Sequence, residues 1–296
     1  GPRLLQGRGG GARPPARAVR HRPERTSTTV TRSRLFAGIA ALAAALVVAP
    51  AAQAKPTILI SGSTSMYPLL VPLAKSFKAK AGFRILQGGS DIGIADVSRG
   101  RVTLGASSRD PQPSDPGGLV FNKVARDGVC IITSKRNPIS NLSQGQIQAI
   151  FSGRIRNWRQ VPGARVSGPI DLVVRTAASG TQDAFQNIFM GQNLRVAGSA
   201  SQKASNGLVQ QAVASSPAGN AIGYVSFDFT RGTHTVAYKG VACNLRNAKS
   251  GVYGGVRNFW LVSRGRATGA AAAFISYIRS NATARRIVAS DWVPLR

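Results

Sequence analysis

Short apolar runs alternate along the chain with longer segments in which apolar residues recur at helical spacing. Short apolar runs bounded by Gly, Pro or Ser are typical of strands, and helical spacing indicates amphipathic helices. The pattern predicts strands at residues 57–61, 83–87, 129–133, 171–175 and 221–227, and helices at 66–77, 91–98, 143–151, 182–190 and 270–289. This alternation favours an α/β architecture with mainly parallel sheets.

One predicted helix has clear signals at both of its ends. Ser143 precedes it and Gln146 follows three residues later, which is the spacing of a capping box. Gly153 comes just after its last apolar residue, where glycine commonly ends a helix. We therefore expect a well-defined helix over 143–151.

The N-terminal region has the pattern of an export signal. Residues 30–54 contain a basic start, an apolar run at 35–48 and an Ala-Gln-Ala end, which together predict a secretory signal peptide cleaved after Ala54. The apolar run is shorter than the roughly 20 residues that span a bilayer. We expect an exported protein of the periplasm or extracellular cell-wall space, without a lipid anchor because no cysteine lies near the cleavage site. Residues 1–29 are interpreted either as a mis-annotated extension or as a disordered basic arm.

The charge of the chain is strongly positive. The sequence has 39 Lys and Arg against 10 Asp and Glu, a formal charge of +29, and residues 55–296 alone hold 30 basic residues and nine Asp. Such a field favours anionic partners: small oxyanions, anionic cell-wall polymer, lipid headgroups or nucleic acid. An arginine-rich composition also follows from a GC-rich genome, so the charge alone does not choose among these partners.

Residues that carry catalysis or bind metals are scarce. Residues 55–296 contain one histidine, His234, and no glutamate, and they lack a Gly-x-Ser-x-Gly elbow and a Ser-x-x-Lys motif. Two cysteines cannot supply a four-thiolate zinc site. The sequence therefore predicts no enzyme, no metal and no cofactor. In an exported protein Cys130 and Cys243 form either a disulfide or two buried thiols, and their residue types leave both open.

Three segments repeat one arrangement, in which a strand is followed by a small, hydroxyl-rich loop and then by a helix start. These loops lie at 61–65, 88–90 and 175–181. A helix start presents unpaired N–H groups, glycine lets the backbone approach closely, and Ser and Thr add donors. Arg175 adds a guanidinium that pairs with two anion oxygens. Together the loops predict an oxyanion site, although each alone is also an ordinary N-cap.

Together with other strings along the chain, these loops resemble the phosphate-binding proteins of ABC transporters. The resemblance covers residues 57–295 and rests on strings in a shared order. The strings are Ser61-Gly62-Ser63-Thr64-Ser65, Gly89-Ser90, Leu104-Gly105-Ala106-Ser107-Ser108-Arg109, Asp127-Gly128, Asn137-Pro138, the run from Ile150 to Trp158, Arg175 with Ser179-Gly180-Thr181, Ile222-Gly223-Tyr224-Val225 and Val293-Pro294-Leu295.

The resemblance implies a two-lobed type 2 periplasmic-binding-protein fold, with mixed sheets flanked by helices and a ligand cleft between the lobes. Lobe one is expected to comprise 55–131 and 231–296, and lobe two 132–230. The resemblance also favours the Cys130–Cys243 disulfide, since it places one cysteine by the crossover strand and the other in the returning segment.

The resemblance further implies a set of ligand-binding residues. They are Ser63, Thr64, Ser65, Ser90, Thr103, Arg175, Ser179, Gly180 and Thr181. Thr103 is read as occupying the place of an aspartate that accepts a proton from phosphate, and Ala177 lies where many relatives have an acidic residue. Asp91 or Asp183 is a candidate replacement. Sulfate or another oxyanion therefore stays a rival ligand.

The resulting expectation is an exported, monomeric solute-binding protein that delivers an inorganic oxyanion, foremost phosphate, to ABC permease subunits. The alternative is a basic extracellular protein of the same fold that binds polyanions or senses anions. Arg154, Arg156 and Arg159 flank Trp158, which suggests charge and stacking contacts with nucleic acid. The resembled family uses this tryptophan for packing, so no nucleic-acid partner is expected.

Overall fold

The computed structural model describes residues 54–78 and 80–295. The predicted extension at 1–29, and the signal peptide apart from Ala54, lie outside the described residues. The strands are β1 Thr57–Gly62, β2 Gly82–Gln87, β3 Leu104–Ser107, β4 Leu119–Ser134, β5 Asn141–Leu142, β6 Asp171–Arg175, β7 Ser201–Lys203, β8 Ala221–Ser226, β9 Thr233–Tyr238 and β10 Val256–Arg264. The helices are α1 Tyr67–Phe77, α2 Ser90–Ser98, α3 Gln144–Phe151, α4 Gly180–Phe185, α5 Asn206–Ala214, α6 Leu245–Ser250, α7 Gly269–Ser280 and α8 Ala282–Asp291.

The first lobe is built on a sheet in the order β2-β1-β3-β10-β4. β1 is parallel to β2 and to β3, whereas β10 is antiparallel to β3 and β4. Helices α1, α7 and α8 cover this sheet with apolar side chains such as Leu69, Phe274 and Val288, which join strand residues such as Ile60 and Phe259 in one buried core.

The second lobe has its own sheet and its own core. The second half of β4 pairs antiparallel with β8 on one side and with β9 on the other, and β6 then continues the sheet parallel to β8 and β7. Phe185 and Tyr224 stack in its core with ring centroids 3.9 Å apart, and Phe151 and Phe189 pack beside them. The sheets are thus mixed, as the resemblance implies: among the described strands, five pairs are parallel and four are antiparallel.

The chain crosses between the lobes at two adjacent points. β4 pairs with β10 as far as Gly128, and from Val129 onward it pairs inside the second lobe. The chain returns at Gly255, whose carbonyl oxygen accepts a hydrogen bond from the Val129 N–H at 2.8 Å. These two adjacent strand crossings give the molecule the geometry of a hinge.

The expected lobe boundary at residue 231 is wrong. β9 pairs with the second half of β4, opposing Val236 to Ile131, and Tyr238 and Tyr253 are buried in the core of the second lobe. Pairing with β4 holds this segment in the second lobe until the chain returns, so the second lobe runs from about 129 to 255.

A disulfide joins Cys130 to Cys243, with the two Cα atoms 5.6 Å apart. Both cysteines belong to the core of the second lobe, because the segment that carries Cys243 lies there and not in the first lobe. The bond therefore links two parts of one lobe.

Most predicted elements are confirmed, and two helices differ. The helix expected over 270–289 is two helices, because Asn281 adopts an extended conformation and its side chain accepts hydrogen bonds from the N–H groups of Thr283 and Ala284. The helix expected over 182–190 begins earlier, at Gly180, and changes to a π-helical turn at Gln186–Met190. Within the described residues, no helix is long and apolar enough to cross a lipid bilayer.

Helix α2 lies directly on the backbone of the first sheet. A Cβ atom added to Gly93 would lie 2.5 Å from the carbonyl oxygen of Ser61 and 2.8 Å from the Cα of Gly62. On the strand side, a Cβ at Gly105 would lie 2.6 Å from the carbonyl oxygen of Gly93. Two glycines thus permit the close contact that places the start of α2, Ser90, beside the loop after β1.

We expect Gly93→Ala to lower the free energy of unfolding by about 1–3 kcal/mol, since the new methyl group meets rigid backbone. The matched control is Gly145→Ala in α3, where nothing lies within 4 Å of the added Cβ. There alanine should raise the stability by up to about 1 kcal/mol through its higher helix propensity. Urea unfolding of the two variants measures both effects, and equal shifts would contradict the close packing of α2.

Candidate functional site

The three hydroxyl-rich loops, which come at the carboxyl ends of β1, β2 and β6, meet where the lobes face each other, and the carboxyl end of β3 lies beside them. The Ser65 and Thr181 hydroxyl oxygens, one from each lobe, lie 2.9 Å apart. The Asp91 N–H donates to the carbonyl oxygen of Ala178 at 3.1 Å, which is a second bond between the lobes. Clefts outside the carboxyl ends of strands are the usual ligand sites of open α/β sheets.

The first lobe contributes a connected group of serine hydroxyls. Ser63 Oγ donates to Ser108 Oγ at 2.9 Å, the Ser108 N–H donates to Ser90 Oγ at 3.0 Å, and the Ser90 and Ser108 hydroxyls are 3.3 Å apart. All three side chains are buried. Because they come from the loops after β1 and β3 and from the start of α2, they hold these segments in one arrangement.

The second lobe contributes Arg175, the last residue of β6. Its guanidinium donates to the carbonyl oxygens of Lys203 and Ala204 at 3.2 and 2.8 Å, and to Thr181 Oγ1 at 3.3 Å. The side chain is 2% exposed, and no ion pair reaches it among the described residues. Burial lowers the pKa of Arg175 to about 10, so the group is charged at neutral pH. Arg175 is a buried cation whose partners are neutral oxygens.

A buried ion pair lies beneath these hydroxyls, close to the crossing strands. Arg257 of β10 donates to Asp127 Oδ2 of β4 through Nε at 3.0 Å and Nη2 at 2.8 Å, and Ser226 Oγ donates to the same oxygen at 2.7 Å. Burial lowers the pKa of Arg257 and raises that of Asp127, and the attraction between the two groups opposes both shifts. The pair is electrically balanced, so Arg175 supplies the net charge of the site.

Asn206 connects the second lobe to the first loop. Its Nδ2 donates to Ser65 Oγ at 2.8 Å and to Thr64 Oγ1 at 3.2 Å, while its Oδ1 accepts from the Ser226 N–H at 3.1 Å. Asn206 is the first residue of helix α5, and its side chain is buried. It therefore holds two of the predicted hydroxyls from the opposite lobe.

Ser179 and Gly180 have structural roles at the start of α4. Ser179 Oγ accepts from the N–H groups of Thr181 and Gln182 at 3.1 and 3.4 Å, which is the N-cap interaction. A Cβ at Gly180 would lie 2.3 Å from Ser90 Oγ and 2.7 Å from Ser108 Oγ. Only glycine allows the two lobes to approach each other this closely.

The expectation that Thr103 lies in the site is wrong. Thr103 is exposed and precedes β3, where its N–H donates to the Leu59 carbonyl oxygen at 2.9 Å and its Oγ1 accepts from the Leu59 N–H at 3.1 Å. The site lies at the other end of β3, beyond Ser107. The hydroxyl that the β3 segment supplies is that of Ser108.

The two aspartates considered as replacement acceptors have other partners. Asp91 Oδ1 accepts from Arg109 Nε at 2.8 Å, and Asp183 Oδ1 accepts from Gln112 Nε2 at 2.6 Å. Arg109 also forms a bidentate ion pair with Asp115. Both carboxylates are therefore engaged by other side chains at the edge of the cleft, and the bond from Gln112 to Asp183 is a further contact between the first lobe and the second.

The structure brings together most of the residues that the sequence predicted for the site, namely Ser63, Thr64, Ser65, Ser90, Arg175, Gly180 and Thr181. Three further residues of the site were not predicted. Ser108 stood within a string that carried the resemblance and could have been chosen there. Arg257 and Asn206 had no local signal, since they contact Ser65 across 192 and 141 residues of sequence.

The arginines around Trp158 do not form a stacking surface with it. Trp158 is fully buried, and its Nε1 donates to the Asn220 carbonyl oxygen at 2.8 Å. Its ring is therefore unavailable to a nucleobase. Among the described residues, no group of three or more His, Cys, Asp or Glu side chains is placed to hold a metal ion.

The chain is similar to proteins of known family over most of its length. Residues 47–282 match a family model described as a PBP superfamily domain. The phosphate-binding protein PstS of Bacillus subtilis is 28% identical over 252 residues, which cover 82% of this chain and 82% of that protein.

The chain is also similar to solved structures of proteins named for phosphate transport. A Clostridium perfringens protein described as a phosphate ABC transporter substrate-binding protein, solved with bound phosphate, is 31% identical with a TM-score of 0.75, covering 81% of this chain and 100% of that chain. An ABC-type phosphate transport receptor from Vibrio cholerae is 25% identical with a TM-score of 0.65, covering 80% of this chain and 100% of that chain.

We expect Asp127→Asn to lower the free energy of unfolding by about 3 kcal/mol, because it leaves the Arg257 charge buried without a counter-charge. Adding Arg257→Met should recover at least half of that loss, since the double variant buries neither charge. Urea unfolding of the two single variants and the double variant measures the coupling, and strictly additive losses would contradict the ion pair.

Proposed function

The chain belongs to the PBP superfamily, and from this membership and the geometry of its cleft we propose that it is an exported solute-binding protein that captures phosphate for an ABC transporter. The match to the family model and to the solved structures confirms the family and the two-lobed fold that the sequence resemblance implies. The relatives named for phosphate binding match along both lobes.

The observation that carries the proposal is the buried guanidinium of Arg175. A desolvated cation without a carboxylate partner is costly, and a small anion supplies the missing counter-charge. The hydroxyls of Ser65, Ser90, Ser108 and Thr181 surround the same region, and the protons that this group leaves free replace the hydration shell of a tetrahedral anion with fixed donors.

Capture by this site makes and breaks no bond. We propose that the lobes open at the Gly128–Val129 and Gly255–Val256 crossings, admit the anion, and close on it through Ser65, Thr181 and Asn206. The anion favours the closed arrangement because it contacts groups of both lobes at once. Export and delivery to permease subunits follow from the proposed class of protein.

A second ligand of the same shape is favoured by one observation. Among the described residues, no carboxylate oxygen hydrogen-bonds to the hydroxyls of Ser63, Ser65, Ser90 or Thr181. A carboxylate there would accept a proton from phosphate and repel sulfate, which has none to give. Sulfate is therefore the competitor to compare with phosphate.

Replacing Arg175 with alanine should weaken phosphate binding by at least about 2 kcal/mol, or roughly 30-fold, because the buried charge-assisted bonds are lost. Arg84→Ala is the matched control, since it removes an equal charge from an exposed position on β2. Isothermal titration calorimetry of both variants separates a local contact from the general positive field. Equal affinities for the two would refute the role of Arg175.

Ser108 and Thr103 lie at opposite ends of β3, and only Ser108 lies at the cleft, so their variants should differ in phosphate binding. Ser108→Ala should weaken phosphate binding about tenfold, because it removes a hydroxyl at the centre of the buried group. Thr103→Ala should leave the affinity unchanged and lower only the stability, by about 1 kcal/mol, through loss of the Leu59 hydrogen bond. A loss of affinity in Thr103→Ala alone would reverse this assignment.

A further inference from the structure

Arg257 contacts two of the serine hydroxyls of the site as well as the carboxylate of Asp127. Its Nη2 donates to Ser65 Oγ at 2.8 Å, and its Nη1 donates to Ser108 Oγ at 3.4 Å. A hydroxyl has one proton to donate and two lone pairs to accept with, whereas a guanidinium only donates. Each contact therefore occupies a lone pair and restricts where the hydroxyl proton points.

The direction of the Ser65 proton follows from its neighbours. Ser65 Oγ accepts from Arg257 Nη2 and from Asn206 Nδ2, both at 2.8 Å. With both lone pairs occupied, its proton is donated to Thr181 Oγ1, 2.9 Å away. Thr181 Oγ1 also accepts from Arg175 Nη1 at 3.3 Å, so the Thr181 proton is the one left free.

A second chain of hydrogen bonds passes through Ser108, and Arg257 restricts its direction in the same way. Ser108 Oγ accepts from Ser63 Oγ and Arg257 Nη1, which leaves its proton for Ser90 Oγ. Ser90 Oγ also accepts from the Ser108 N–H at 3.0 Å. Both of its lone pairs are then occupied, so the free proton of this chain is that of Ser90.

We propose that Arg257 is a positioning residue that orients two hydroxyl chains so that Ser90 and Thr181 present only donors to the bound anion. The inference rests on the proposed function and adds a basis for selectivity. An unprotonated anion oxygen is matched by these two donors, whereas a protonated one finds no acceptor on Ser90 or Thr181. The site then prefers hydrogen phosphate, the dianion, to dihydrogen phosphate.

The test is a double variant, Asp127→Asn with Arg257→Met, which removes one charge of each sign and keeps the net charge of the site. Without Arg257, the hydroxyls of Ser65 and Ser108 are free to rotate, and the two hydrogen-bond chains can accept a proton from the anion. Phosphate and sulfate affinities are measured by calorimetry between about pH 5 and pH 8, a range that includes the second ionisation of phosphate. Sulfate does not titrate in this range and serves as the control ligand.

For the wild-type chain we expect phosphate affinity to rise at least about tenfold from pH 5 to pH 8, following the dianion. In the double variant we expect a rise of at most about threefold, together with a roughly tenfold higher ratio of phosphate to sulfate affinity at pH 5. A purely structural role would weaken both ligands alike and leave this ratio and the pH slope unchanged.

A second variant keeps the test informative if the double variant does not fold. Arg257→Lys keeps the charge beside Asp127, but one ammonium cannot reach both hydroxyls, so the pH slope should again flatten. Wild-type slopes in both variants would overturn the role of Arg257 while phosphate capture stands. A wild-type chain that binds neither anion would overturn the proposed function and this inference together.

Discussion

A buried positive charge at the meeting point of the lobes is the constraint on which the rest of the structure depends. Removing a guanidinium from water is unfavourable unless an opposite charge or good hydrogen bonds replace the water. Arg257 has Asp127 for this purpose, whereas Arg175 has only carbonyl and hydroxyl oxygens. Among the described residues, one buried arginine is thus balanced by a carboxylate and the other is not.

The fold delivers this arrangement through the direction of its strands. β1, β3 and β6 all end at the cleft: the hydroxyls of Ser65 and Ser108 follow β1 and β3, and the guanidinium belongs to Arg175, the last residue of β6. β4 continues from the first sheet into the second, and β10 pairs with the first half of β4, which sets Arg257 directly opposite Asp127 at the crossing. Close packing at Gly93 and Gly180, where no side chain fits, lets the helices and lobes approach closely enough for the hydroxyls to touch.

Local signals in the sequence predicted the parts of the structure that local interactions determine. The capping box at Ser143 and Gln146 is present as expected, because both of its bonds lie within one helical turn. The loops around Ser65 and Arg175 were recognisable because glycine and hydroxyl residues cluster between a strand and a helix. The break at Asn281 also has a local cause, a side-chain cap, but the continuous apolar pattern around it suggested one long helix.

Other parts of the site depend on tertiary structure and left no local pattern. Thr103 and Ser108 lie on one short segment, and only the position of the cleft decides which end of β3 takes part. Arg257 lies in a strand of ordinary composition, and its role arises because β10 pairs with β4 and β3. The lobe boundary near 255 likewise depends on the pairing of β9, which the chain order does not reveal.

The position of β10 between β3 and β4 has a consequence for the order in which the molecule can form. The second lobe is one continuous stretch of chain, so it can assemble by itself, aided by its own disulfide. The first lobe lacks a central strand until nearly the whole polypeptide is present. The cleft between the lobes is therefore completed only when the last part of the chain has been synthesised. A polypeptide truncated before β10 would contain the whole second lobe and an incomplete sheet in the first lobe.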